Sequence, residues 1–202
     1  MPDSEAGSER AFWQWFGRAV LPALRGEELP REDVVAELDD RLRSFALPWE
    51  LGPDADSDKW CLAVSFMPAR DRFQAAMRLV NAAPEMGPCR VVLGKQAKED
   101  WDGRLELRTT EGWVTLRPTQ WPTAALRTGP GVTLVVAPIE SGLPEEEVCR
   151  ATGISAINLL GEVRYYRQIK DVLVMSRREL QAIGSPFRPL AELKELLDAA
   201  LE

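Results

Sequence analysis

The 202-residue chain contains no histidine. Histidine is the usual proton shuttle at neutral pH and the commonest metal-binding side chain. Its absence excludes Ser-His-Asp and Cys-His catalysis, histidine-ligated zinc or iron, and histidine pH switches. Cysteine is scarce as well. Cys61, Cys89 and Cys149 are widely spaced and form no CxxC pair, a pattern that suits neither a disulfide framework nor a zinc site. Reduced thiols in a cytoplasmic protein are expected. Positive charge is outweighed, with 25 Lys and Arg against 32 Asp and Glu and a net charge of −7. This argues against broad binding to nucleic acid or anionic lipid, which needs a basic surface. No apolar run approaches the roughly 18 residues that span a membrane. The start, MPDSEAGSER, lacks the basic and apolar segments of a signal peptide, so the expected location is the cytoplasm.

What the chain has is the balance of a globular protein. Hydrophobic residues make up 45% and charged residues 28%, with seven Trp and six Phe for a core. Residues 1–9 read as a disordered polar tail, and 10–202 as a single domain. The densest aromatic cluster, Phe12, Trp13, Trp15 and Phe16, continues at helical spacing to Val20 and Leu24, with Pro22 placed to kink or end the helix. Val34, Val35, Leu38, Leu42 and Phe45 form the stripe of a second helix over 31–45.

Extended structure is expected at 47–51 and 60–66, joined by the turn-rich GPDADSD, then a helix over 69–82 and a strand over 89–93. Residues 105–108 and 113–116 alternate at period two around a turn. Pro118, Pro122, Gly129, Pro130 and Gly131 mark 118–131 as a crossing loop, and 132–137 as an apolar central strand. Pro144 followed by three glutamates starts a helix that Gly161 ends near Leu160. Residues 163–166 and 169–175 read as extended, and 189–201 as a final helix. The order strand, helix, strand thus recurs in 47–96 and 104–175, a topological pseudo-repeat without residue similarity. The expected fold is α+β: antiparallel or mixed sheet with helices packed on it, as one or two ferredoxin-like units.

Two constellations carry the functional expectations, each beside a plainer reading. Phe12, Trp13, Trp15 and Phe16 suit core packing first and a protein interface second. Glu162, Arg164, Tyr165, Tyr166 and Arg167 can line a pocket for an anionic or amide ligand, since arginine grips carboxylate or phosphate bidentately and tyrosine adds a donor. The plainer reading is a strand edge with exposed arginines. The carboxylates Asp54, Asp56 and Asp58, and Glu99, Asp100 and Asp102, lack calcium-loop spacing and read as solvated turns. A metal-dependent hydrolase using Asp100 and Asp102 is the remotest reading. Gly94-Lys95-Gln96 and Gly129-Pro130-Gly131 match no nucleotide-binding motif, and neither GxSxG nor SxxK occurs. No cofactor, metal site or catalytic residue is expected.

The order FWxWF at 12–16, Trp49-Glu50-Leu51-Gly52, Leu79-Val80-Asn81-Ala82-Ala83-Pro84-Glu85 and Leu159-Leu160-Gly161-Glu162 resembles a group of uncharacterised bacterial proteins, a domain of unknown function. The resemblance runs from residue 12 to about 175. It implies a small bacterial cytoplasmic protein and transfers no activity. The chain departs from that group after Gly161-Glu162, continuing with Val163-Arg164-Tyr165-Tyr166 instead of an acidic segment. The expectation from composition and motifs is a non-catalytic interaction or regulatory protein with an unidentified protein partner or self-association, and no nucleic acid or membrane. The alternative is a small-molecule or anion-binding protein.

Overall fold

The computed structural model describes residues 3–25, 30–54, 57–67, 69–140 and 142–202, with side chains from Ser8 onward. The fold is α+β. Where the sequence suggests one domain, the chain forms two compact units, Met1–Lys95 and Gln96–Glu202.

Unit 1 opens with α1 (Asp3–Ala19), so helix replaces most of the expected disordered tail, and Glu9 is already buried. Phe12, Trp13, Trp15 and Phe16 are all buried. Their rings pack on one another, with Phe12 edge-on to Trp13 at 4.7 Å between centroids. The Trp13 indole N–H donates to the Leu79 carbonyl at 2.8 Å, fixing α1 to the later part of the unit. The first helix ends before Pro22, which has no N–H to continue the ladder, and the short α2 (Leu21–Arg25) follows.

Helix α3 (Glu32–Ser44) buries Leu38 and Leu42 and keeps a mesh of exposed ion pairs among Glu37, Asp39, Asp40, Arg41 and Arg43. It closes in a Schellman motif. Ala46 N–H bonds Arg43 O, Leu47 N–H bonds Leu42 O, and Ala46 takes a left-handed φ of 58°. Strands β1 (Trp49–Pro53) and β2 (Trp60–Val64) are an antiparallel pair. After α4 (Phe73–Asn81), β3 (Cys89–Leu93) pairs parallel to β2, giving the order β1-β2-β3.

Unit 2 begins with a separate hairpin, β4 (Leu105–Thr109) and β5 (Gly112–Leu116). The expected crossing loop contains a strand, β6 (Pro122–Thr128). Its prolines and glycines bracket the strand instead of breaking it. Pro122 occupies the first position, where proline is tolerated, and Gly129-Pro130 makes a two-residue turn into β7 (Gly131–Val136), which is buried at every position.

Helix α5 (Glu145–Leu160) ends at Gly161, whose φ of 78° and ψ of 154° redirect the chain into α6 (Glu162–Gln168). Residues 163–166 are therefore helical, not extended. The buried positions Glu162 and Tyr165 of α6 fall three apart, a helical spacing. Strand β8 (Ile169–Val174) returns parallel to β7. Helix α7 (Arg177–Ala182) starts with a capping box between Ser176 and Glu179. The two-residue β9 (Arg188–Pro189) pairs with β6, and α8 (Leu193–Leu201) closes the chain. The four-stranded order is β8-β7-β6-β9. Leu180 of α7 packs against Ala124, Val135 and Ala137 on one face of this sheet.

Neither unit has the βαββαβ order of a ferredoxin-like fold. Both instead share a hairpin, a helical crossover and a strand parallel to the second hairpin strand. No described helix is long and apolar enough to cross a membrane.

Candidate functional site

The α6 helix separates the residues expected to share a pocket. At 100° per residue, Glu162, Tyr165 and Tyr166 lie on one side and Arg164 and Arg167 on the other. Glu162 is fully buried, and Tyr165 is buried with its hydroxyl beside Gly153 of α5. Arg164 donates to Gln168 Oε1 and to Asp198 Oδ1 of α8, both at 2.8 Å, so it ties two helices together. Arg167 is exposed. The five side chains therefore do not converge, because the helix turns inward a carboxylate that a strand would have placed on the same face as Arg164. The aromatic cluster of α1 does not provide an interaction face either, since its four rings form core.

A cleft of about 610 Å³ opens in unit 1 where β2 and β3 begin and α4 ends. Asp54 lies in it, and it is not the solvated turn residue expected. Its side chain is 2% exposed, and it accepts from Arg90 Nη2 at 2.6 Å and Ser57 Oγ at 2.7 Å. Asp56 lies outside the described residues. The Asp54–Arg90 pair links the end of the β1–β2 hairpin to β3, and Lys59 and Glu85 stand at the exposed margin. Cys89 lines the cleft, and burial pushes its thiol up to about 11, so it stays protonated at neutral pH. Cys149 is raised by burial first and then by the nearby Glu145 and Asp171. Both shifts oppose thiolate nucleophilicity.

The other carboxylate group forms a turn. Asp102 Oδ1 accepts the Arg104 backbone N–H at 2.9 Å. Among the described residues no three Cys, Asp or Glu side chains are grouped to hold a metal ion.

The expected hairpin at 105–116 forms as β4–β5, and what sequence reading passed over is its outer face. Its alternation puts Leu107 and Leu116 inside and Glu106, Arg108, Trp113 and Thr115 outside. Trp113 is 72% exposed, the most exposed large apolar side chain described. Arg108 lies directly opposite it in the register. The turn is held from within: Thr109 Oγ1 donates to the Gly112 carbonyl at 3.0 Å and accepts from the Glu111 N–H at 3.2 Å. Arg104 pairs with Glu106 at 2.9 Å, while no ion pair reaches Arg108 or Arg117 among the described residues. The signal was present in the sequence, because Trp113 has the same parity as Thr115 and the opposite parity to the buried Leu116.

No family model matches the chain, and no curated protein or solved structure matches it.

Proposed function

We propose that this chain is a non-catalytic interaction or regulatory protein of a bacterial cytoplasm, and that it engages a protein partner through the outer face of β4–β5. The single observation that carries this reading is Trp113, exposed on a hairpin with an arginine across from it. Tryptophan and arginine dominate the energetics of protein interfaces. Covering the exposed part of one indole contributes about 3–4 kcal/mol by area. The missing histidine and the raised thiols support a binding role over a catalytic one, and the bacterial assignment rests on the FWxWF, AAPE and LLGE pattern.

The test is co-purification of the full chain from its native host beside Trp113→Ala. The expected result is a stoichiometric partner that the variant loses while its melting temperature is unchanged. Equal recovery by both proteins refutes this surface.

The unit 1 cleft favours a second reading, binding of a small polar molecule beside Arg90. A panel of small carboxylates and phosphates should then raise the melting temperature of the native chain and not that of Arg90→Met. No shift with any compound ends that reading.

A further inference from the structure

The proposed docking surface also has an open strand edge, and the two edges of the hairpin are treated differently. A two-residue loop makes Thr109 and Gly112 the closing hydrogen-bonded pair. In an antiparallel ladder the next pair, Arg108 and Trp113, then points its backbone N–H and C=O groups outward, as does the pair Glu106 and Thr115. On the β4 side the Arg108 carbonyl accepts a hydrogen bond from Arg150 Nη2 of α5, so one outward group of that edge is already used. On the β5 side no strand pairs beyond β5, and no hydrogen bond reaches the outward groups of Trp113 or Thr115 among the described residues. Folded proteins usually blunt such an edge with a proline, a bulge or an inward charge; β5, Gly-Trp-Val-Thr-Leu, has none of these.

We infer that the partner adds an extended acidic strand to the outer edge of β5. This rests on the reading of β4–β5 as the docking face and specifies how it binds. Main-chain hydrogen bonds to Trp113 and Thr115 would supply the pairing, with alternate apolar side chains of the added strand covering the indole. The acidic character follows from charge. Within an acidic protein, residues 104–117 carry three arginines against two glutamates. Glu106 is already held by Arg104, whereas Arg108 and Arg117 are exposed without a carboxylate. At physiological salt such local charges outweigh the net charge of the distant surface.

The test uses the full chain and three capped peptides of about six residues. One alternates Glu and Val, one alternates Lys and Val, and one is the Glu–Val peptide with every backbone amide N-methylated, so that neither of its edges can donate. Amide NMR shifts are the readout. The Glu–Val peptide should shift the Trp113 and Thr115 amides, with affinity falling as salt rises. The Lys–Val and N-methylated peptides should not shift them. Trp113→Ala should weaken binding about tenfold or more. Thr115→Pro should abolish it, since it removes an outward N–H that the β4–β5 ladder does not use.

If the N-methylated peptide or Thr115→Pro still binds, strand addition is overturned while the Trp113 face survives as a docking surface. If no peptide binds, the inference is overturned. It is also overturned if sedimentation shows a dimer that Trp113→Ala dissociates, because the occupant is then a second copy.

Discussion

In unit 1 the central strand β2 is buried only along Leu62–Val64, while in unit 2 its counterpart β7 is buried from Gly131 to Val136. The two share an order, hairpin then crossover then parallel strand, yet hold it together by different means. Successive residues of a strand point to opposite faces, so complete burial of β7 requires cover on both sides of its sheet. Unit 2 can provide that cover with the long crossover α5–α6, the added helices α7 and α8, and a fourth strand. Among the described residues, unit 1 has the nine-residue α4 and one short 3-10 turn between β2 and β3, and it puts its large aromatic mass into α1. It ties the open end of its sheet with an ion pair, Asp54–Arg90, where β7 of unit 2 carries no charged side chain and buries Val132, Leu134, Val135 and Val136. One connectivity therefore tolerates two stabilising strategies, and the ionic one leaves a cleft.

The comparison can be broken most forcefully at the two central strands. Leu134→Ala in β7 and Leu62→Ala in β2 each remove a fully buried side chain and should cost about 2–5 kcal/mol. Denaturant unfolding measures both. The Leu134 variant should be the costlier, because cover on both faces leaves less room to collapse, and equal costs would show that the difference in burial has no energetic counterpart.

The next effect belongs to the ionic tie. Asp54→Asn removes the negative charge from the Asp54–Arg90 pair and should cost about 1–3 kcal/mol, discounted because Arg90 is 39% exposed. An unchanged unfolding midpoint would remove the ion pair from the account of unit 1.

Gly161→Ala probes the unit 2 crossover. The glycine's φ of 78° with ψ of 154° lies where alanine is strained, so a loss of about 1–3 kcal/mol is expected. Ala46→Gly probes the α3 end in unit 1 with the opposite sign. Relief of the left-handed φ should raise stability by up to about 1 kcal/mol.

The last effect appears only at alkaline pH and belongs to Cys89. The folded state holds its proton more tightly than the unfolded chain, whose thiol titrates near the ordinary 9.0. Its contribution is therefore fully present below that value and is lost as pH rises toward about 11. Cys89→Ser should flatten the loss of stability between those limits, and a slope identical to that of the native chain would contradict the shift.

The helical stripe of α3, the hairpins and the apolar strand at 132–137 could be read because each follows a simple period. The strand β6 could not, because proline and glycine look alike in a sequence whether they break a strand or bound it. The six-residue helix that Ser176 and Glu179 cap was not expected, because it is too short to show a period. The candidate pocket at 162–167 depended on one choice between strand and helix. In α6 the pairing of neighbours changes, and Glu162 goes inward while Arg164 goes to Asp198. Asp54 looked like every other acidic turn residue, since its partner lies 36 positions away.

By itself the sequence determined the α+β class, the aromatic core of α1, the absence of histidine chemistry and most of the longer elements, because composition and periodicity are local properties. Only the tertiary structure decided that the chain forms two units, which acid was buried against an arginine, which constellation dispersed, and which hairpin edge was left open. Those outcomes depend on what distant residues cover, and burial is a property of the packed chain and not of any segment within it.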